Sequence, residues 1–540
     1  MKEKEFTIRS MVFGILLGTL FIALIMYLDA VTGLDMDISP VITMLGIMLM
    51  PVFGKAVNIK EVNIMQTCAS AVAWSGGALT GNYVAMLLMG EEFRVWGTLI
   101  PMLLANLIGV CAVTLFRNQY VYDEKLPFPK ATIELTALKK VENFGGMEGK
   151  LLYLGLALGI VVSLLQNLGI ILSTVDFTRY LPSGSTLGIL IMPIMLGMGY
   201  VLGSRGGIIL LITALLVNIV EGIFGTRRGW FADPATDFSG LQNFNLPIVI
   251  GITLMSVLLP LLKEWKSVTR TFSFSNTENT GQASDIKIGR ILLLLAGASL
   301  AFIAFGSIYY HIEVIHMIII LFINLVFAMV GVRVQAESGL SAMMALNVCE
   351  VFIAYFLTKN PVISLVVPFS CYGIIILAQN TMGDLKTGQV VGSSPRKQIW
   401  AQCVGVCTGS VISVVIFYGL LKVYGLDSQL FAYPVAHMYQ SLAAGLSDGG
   451  AAVFNLGRFG IGAVAGTALS LIGLPAGLIA LALYLSSTAI LGIATGGVIR
   501  FIVERIKGGR TAELLNNTAT GFIIGDGLVC IIMLFIMMFS

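Results

Sequence analysis

Apolar runs long enough to cross a bilayer recur from one end of the chain to the other, separated by short polar or Gly/Pro-rich stretches. A helical span needs about 20 apolar residues, and hydropathy together with breaker residues divides the chain into about sixteen spans. In the first half they cover 11–31, 38–53, 63–89, 95–116, 151–172, 187–203, 206–224 and 247–262. In the second half they cover 291–309, 312–332, 337–358, 361–379, 399–424, 457–472, 475–499 and 518–539. Between the halves, 263–290 is hydrophilic, with TFSFSNTENTGQASD at its centre, and reads as a flexible cytoplasmic linker. The pattern predicts an all-α polytopic membrane protein built of two eight-helix transmembrane repeats, residues 1–262 and 291–540. Each half has four spans, a polar interruption (117–150, then 380–398) and four more spans, and the third span of each is its polar one. Duplications of this kind are the sequence mark of transporters, with the site near the repeat interface.

The first polar span, NIMQTCASAVAWSGGALTGNYVAMLLM, carries Asn63, Gln66, Thr67 and Ser70 at i, i+3, i+4 and i+7, one helical face. Ser75, Thr80 and Asn82 prolong the polarity past Gly76 and Gly77, where glycine weakens the helix and a break is expected. Broken backbone at membrane depth is tolerated only against protein or a water-filled cavity. The face therefore either lines a cavity or serves as polar glue between helices, at about 0.6 kcal/mol per contact. Its counterpart in the second half begins AESGLSAMMALN at Ala336 and includes Ser338.

Both interruptions are unusual. In LPFPKATIELTALKK, Pro129 can open a helix, with Glu134 early and Lys139–Lys140 late, as the helix dipole favours. A cytoplasmic surface helix and a re-entrant segment closing a cavity both fit. In DLKTGQVVGSSPRKQ, Gly383, Gly388 and Gly392 allow close backbone approach, while Asp384 and Lys386 either pair or face cargo. Its spacing is not that of a phosphate-binding loop. Carboxylates inside apolar spans cost at least about 2.5 kcal/mol and are functional hypotheses by default. Glu350, Glu221, Asp526 and Glu337 qualify, with Glu350 first because it lies deepest in the second polar helix. His316 is either a proton relay or a packed neutral histidine.

Composition agrees: the chain is 57% hydrophobic and 11% charged, where a soluble protein carries about 25% charge. A net charge of +3 and the lack of a basic tail speak against a nucleic-acid partner. The seven cysteines lie in or beside apolar segments and read as small buried hydrophobes; Cys403 and Cys407 share a helix face without further ligands, so no metal site is expected. The basic N-terminus and the apolar run after it read as an uncleaved first helix. With the N-terminus cytoplasmic, the inner side collects about 21 of the 32 basic residues and the C-terminus is cytoplasmic too, although Arg500, Arg505, Lys507 and Arg510 then fall outside.

Several strings together carry a resemblance. NIMQTCASA (63–71) resembles the N-x-x-Q-T-x-A-S-A helix of the oligopeptide transporter superfamily, and LPFPKATIELTALKK (126–140) its L-x-[FY]-P-x-G-x-A-x-A-E segment. MPIMLGMGYVLGSRGG (192–207) is similar to its S-P-x-L-L-G-x-G-Y-I-x-G helix, and DLKTGQVVGSSPRKQIWAQCVG (384–405) to its D-L-K-T-G-x-x-x-G-A-x-P-x-K-Q segment. Lys130–Ala131 departs from the family, which has an acidic residue and glycine there. The eukaryotic peptide-transporter signatures are absent, which places the chain nearer the prokaryotic and yellow-stripe-like members. The resemblance implies sixteen helices, proton-coupled import of small peptides or metal chelates, a re-entrant reading for 126–140, and a homodimer.

The expectation is thus a secondary active importer in the cell's inner or plasma membrane, without a cofactor, whose partners are its small-molecule or peptide cargo, protons and the lipid bilayer. Candidate cargo contacts are Asn63, Gln66, Thr67, Ser70, Ser75, Asn82, Ser338, Asp384 and Lys386; candidate proton-coupling acids are Glu350, Glu221, Asp526 and Glu134. The alternatives are a membrane-embedded enzyme acting on a lipid-linked substrate, which calls for clustered acids at one membrane face, and a channel, which calls for one uniformly lined pore.

Overall fold

The computed structural model describes residues 5–33, 39–53, 58–123, 147–263, 288–338, 341–426, 434–447 and 455–539. It also describes Leu126, Phe128, Pro129, Ala131, Glu134, Leu135, Leu138, Ser428, Phe431 and Tyr433. The linker expected at 263–290 falls almost wholly outside these residues.

Helix α1 (Ile8–Thr32) is opened by a capping box between Thr7 and Ser10. Next come α2 (Ser39–Leu49) and α3 (Ile59–Trp74), the latter capped by the Asn58 side chain, which accepts from the Lys60 amide at 3.0 Å. A π turn (Leu79–Tyr83) and α4 (Val84–Leu88) complete that span. The first half continues with α5 (Val95–Leu115), α6 (Met147–Asn167), α7 (Pro193–Leu202), α8 (Ser204–Leu215), α9 (Gly222–Arg227) and α10 (Phe238–Lys263). Strands β1 (Thr174–Asp176) and β2 (Gly188–Leu190) form a small antiparallel ribbon before α7. The second half holds α11 (Ile288–Tyr309), α12 (Val314–Ser338), α13 (Met343–Thr358), α14 (Ile363–Val391) and α15 (Pro395–Tyr424). It ends with α16 (Pro434–Ser447), α17 (Leu456–Leu471), α18 (Ala476–Tyr484), α19 (Ser487–Lys507) and α20 (Gly509–Phe539).

Among the described residues nine helices are long and apolar enough to cross a membrane, with shorter apolar ones beside them. The chain is an all-α polytopic membrane protein. Helix α14 is its central post, 94% buried along its apolar window, whereas α11 is only 17% buried and presents its side chains to lipid.

Three spans differ from the sequence expectation. The interruption placed at 380–398 is mostly helix: α14 runs on to Val391 and stops only at Gly392, whose φ of 78° is left-handed. Asn380, Asp384 and Thr387 look like loop residues in a hydropathy plot, yet they share a face that buried polar partners satisfy. The span at 475–499 is split at Leu485–Ser486, and its freed carbonyls are taken by α10: Gln242 donates to the Tyr484 carbonyl at 3.1 Å and Asn245 to that of Leu483 at 3.3 Å. Helix α16, amphipathic rather than apolar, was not anticipated as a separate element.

Directions follow from the packing. Helices α1 and α3 start on one face, where Arg9 and Glu61 pair at 2.6 Å. Helix α14 runs the other way, starting near Tyr83, which meets Phe369, and ending near Lys60. Helices α6 and α20 run side by side through two small-residue pairs, Gly155/Gly159 and Gly521/Gly525. A Cβ on Gly159 would lie 3.1 Å from the Cα of Gly525, so the backbones touch where any larger residue would part them.

Candidate functional site

The helix break expected near Gly76–Gly77 is present, since α3 ends at Trp74 and helical bonding resumes as a π turn at Leu79. Its freed backbone is satisfied from α5: Asn106 Nδ2 donates to the Ser75 carbonyl at 3.1 Å and to Ser410 Oγ at 3.0 Å. A second break lies between α12 and α13, where Ser341 Oγ accepts from the Met343 amide at 3.3 Å and donates to Gln379 at 3.0 Å. The two interrupted spans meet: Asn347 of α13 donates to Asn82 of the π turn at 3.3 Å.

Toward the N-terminal face sits a polar layer around Asp384, which is fully buried. Its Oδ1 accepts from Gln66 Nε2 at 3.1 Å. Its Oδ2 accepts from Ser70 Oγ at 2.8 Å, Gln402 Nε2 at 2.7 Å and Asn380 Nδ2 at 3.4 Å. Gln398 extends the layer, donating to Asn63 Oδ1 at 3.2 Å and to the Asp384 carbonyl at 2.7 Å. Asn63, Gln66, Thr67 and Ser70 are thus brought together on one face as expected, and that face is fully buried, with Asn63, Gln66 and Ser70 bonded to α14 and α15. The donors of Gln66, Ser70, Asn380, Gln398 and Gln402 find acceptors across three helices, while Asn63 Nδ2 and the Oε1 atoms of Gln66, Gln398 and Gln402 have no partner among the described residues.

One turn further along α14, Thr387 Oγ1 donates to Glu134 at 2.8 Å. Phe128, Ala131, Glu134 and Leu138 are all buried, so this stretch packs against protein, and the Phe128 amide donates to the Ala336 carbonyl at the end of α12. Lys386 does not pair with Asp384; residues two apart on a helix face different ways. Its Nζ donates to the Val121 carbonyl at 3.0 Å.

On the opposite side of the break, aromatic rings close the bundle. Tyr83 lies 4.8 Å from Phe369 and 5.9 Å from both Phe93 and Phe417, ring centre to ring centre.

The profile of the OPT oligopeptide transporter protein family matches residues 5–537. The chain belongs to this family. A Haemophilus influenzae protein named "Putative oligopeptide transporter" is 22% identical over 90% of this chain and 88% of its own length. The metal-nicotianamine transporter YSL2 of Arabidopsis thaliana is 22% identical over 97% of this chain and 92% of its own. This OPT protein is therefore a membrane transporter and not an enzyme, which removes the lipid-linked enzyme alternative.

The candidate acids of the OPT chain fall into distinct settings. Glu350 is fully buried on α13 with neither carboxyl oxygen hydrogen-bonded, and Asn324 of α12 is the amide that faces it. Asp526 on α20 accepts from the Ile194 amide at 3.0 Å and so caps α7, which opens with Pro193. Glu221 is half-buried at the end of a π turn, facing Asn245. Glu337 and Ser338 lie in the last turn of α12, and their side chains fall outside the described residues. His316 sits in the first turn of α12, 3.8 Å from the exposed Glu313, and not at mid-span. Cys407 is exposed on α15 and is not a buried hydrophobe. Among the described residues no three His, Cys, Asp or Glu side chains gather as a metal site.

Sequence reasoning missed several participants. Asn380, Gln398 and Gln402 complete the Asp384 layer, and the i, i+4 spacing of the two glutamines on α15 is a signal that could have found them. Asp29, inside the apolar first span, accepts from Thr80 Oγ1 at 2.5 Å and ties α1 to the π turn. A single acid in a strongly hydrophobic run leaves the hydropathy average high and escapes notice.

Proposed function

We propose that this OPT transporter is a proton-coupled importer of small peptides or metal chelates that works by alternating access, with the N-terminus cytoplasmic and the C-terminus, contrary to the sequence expectation, on the opposite face, because α20 runs parallel to α1 and α6. The observation that carries the reading is the meeting of two interrupted spans, one from each half, at Asn82 and Asn347. Discontinuous helices facing each other near mid-membrane are how many secondary transporters build a cargo site between repeats. The layers on either side supply two closures. The Asp384 layer joins α3 to α14 and α15 toward the N-terminal face, and the Tyr83 rings join the π turn of that span to the same two helices on the other. Opening one while the other stays shut exposes Asn82 and Asn347 to one compartment at a time. Both cargo classes enter from the relatives, one named for oligopeptides and the other for metal-nicotianamine.

Glu350 is the acid assigned to coupling. An isolated buried carboxylate is strongly disfavoured, so exposure of Glu350 to water on one side is the step at which its proton would leave. Liposomes holding the purified protein under an inward proton gradient should accumulate trialanine or nickel–nicotianamine. With Glu350→Gln, gradient-driven accumulation should disappear while exchange of labelled for unlabelled cargo persists. Accumulation unchanged in that variant removes Glu350 from coupling, and failure of wild-type protein to move either probe rejects the cargo assignment.

A further inference from the structure

A second polar feature lies away from these layers, on the face opposite the N-terminus. Helices α10 and α17 run side by side there, with a Cβ on Gly466 reaching within 2.7 Å of Ile252 Cα. Above that contact opens a cleft of about 460 Å³ between the start of α10, the start of α17 and α16. Clefts of roughly 300–1,000 Å³ are the usual size for small-molecule sites. On one wall Trp230 stacks on Phe244, with centroids 5.1 Å apart and planes 7° from parallel, and the Arg458 guanidinium lies 3.7 Å from the Phe244 ring centre. The only other group the guanidinium meets among the described residues is the Phe244 carbonyl, at 3.5 Å. No described carboxylate neutralises it, so most of its five donors are left to whatever enters the cleft. The facing wall is Gln440 and Ser441 of α16, with Asn243 at the rim.

We propose that this cleft is the first docking site for cargo carrying a carboxylate, held by the planar fork of Arg458 while its flat or apolar part lies against Trp230. The inference rests on the transport reading and adds the chemistry of capture. A guanidinium matches a carboxylate in two-point geometry that a lysine cannot reproduce. The position suits the role: Gln440 donates to the Leu88 carbonyl at 3.0 Å, so the cleft wall is fastened to the end of the broken third span. Deeper in the bundle, Val249 and Thr253 of α10 and Val435 and Met438 of α16 border a narrow apolar gap beside Met344, one turn before Asn347. A tryptophan beside an arginine at a membrane surface also suits an anionic lipid headgroup. The concave amide and hydroxyl wall opposite favours a soluble polar ligand.

The test is equilibrium binding to protein in nanodiscs, followed by tryptophan fluorescence and calorimetry. The probes are trialanine, trialanine amide and nickel–nicotianamine. At least one free-carboxylate probe should bind saturably and the amide at least about ten times more weakly. Arg458→Gln should raise the dissociation constant of that probe at least about tenfold, Arg458→Lys less, and salt should weaken binding of wild type more than of Arg458→Gln. Asn243→Asp, at the exposed rim, should weaken binding through like-charge repulsion without disturbing the stack. Equal affinity for acid and amide, indifference to Arg458→Gln, or an effect confined to retention of phosphatidylglycerol each overturns the proposal. Uptake in liposomes separates the two readings: transport that survives Arg458→Gln unchanged defeats the docking site alone, whereas binding at Arg458 without any uptake defeats the transport reading alone.

Discussion

Replacing Asp384 by leucine should cost a large share of the protein's stability, and replacing it by asparagine about half as much. Four buried donors end on this carboxylate: Gln66, Ser70, Asn380 and Gln402. A leucine of similar bulk leaves the amides of Gln66 and Gln402 without an acceptor, whereas Asn380 keeps Ser70 Oγ at 3.1 Å and Ser70 keeps the Thr67 carbonyl at 3.2 Å; a stranded buried donor costs about 1–3 kcal/mol. The sum, roughly 2–6 kcal/mol, compares with a typical total stability of about 5–15 kcal/mol. Asparagine keeps the shape and one oxygen. Because three of the described donors converge on Oδ2 and one on Oδ1, its amide nitrogen belongs at the Oδ1 position, facing Gln66. Gln66 can reverse its own amide, since its Oε1 has no partner. What remains is the loss of charge assistance, about 1–3 kcal/mol in all. Denaturant unfolding in detergent micelles, followed by near-UV circular dichroism and size-exclusion chromatography, measures both variants. A leucine variant unfolding at the wild-type midpoint, or an asparagine variant as unstable as the leucine one, refutes the reasoning.

Three further outcomes are expected. Gly525→Leu should drive α6 and α20 apart at their backbone contact and lower the yield of monodisperse protein, with a cost of at least about 1–3 kcal/mol; normal yield and stability would contradict the seam. Asn347→Ala and Asn82→Ala, taken through a double-mutant cycle of unfolding free energies, should show coupling of about 0.6 kcal/mol, and strict additivity would deny the link. On the face opposite the N-terminus, the Asp233 carboxyl is held below its ordinary range by the Ser183 hydroxyl and by the Ala235 and Gly184 amides. A depressed folded value means the loop gains support above the unfolded value and loses it as pH falls through the folded one. Protease sensitivity of 182–185 should therefore rise only below about pH 4, the ordinary aspartate range, and Asp233→Asn should remove that dependence.

The class of fold was legible because apolar runs of spanning length admit few structures other than membrane helices. The break in the third span was legible too, since Gly76–Gly77 follows a polar face and nothing in the local sequence bridges it. Helix α14 was misread for a reason general to buried bundles. Asn380, Asp384, Thr387 and Gly388 signal a loop only if water is their partner, and here the partners come from α3, α15 and Glu134, in sequence far away. The same blindness hid what the Gln66 face contacts. Its periodicity set it on one side of a helix, but no local pattern distinguishes a face turned to a cavity from one turned to a glutamine pair on another helix. Arg458 and Phe244 are 214 positions apart, so the stack at the cleft was beyond any local signal.

The glycine seam between α6 and α20 bears on how the chain is made. Helix α6 ends at Asn167 and its mate begins at Gly509, about 340 residues later. At a synthesis rate of roughly 5–20 residues per second, α6 waits for about 17–70 s in the bilayer with a bare backbone groove along one side. Slowing the ribosome downstream of α10 should lengthen that exposure, and a crosslinker on α6 would then capture whichever insertion factor occupies the groove until the last helix arrives.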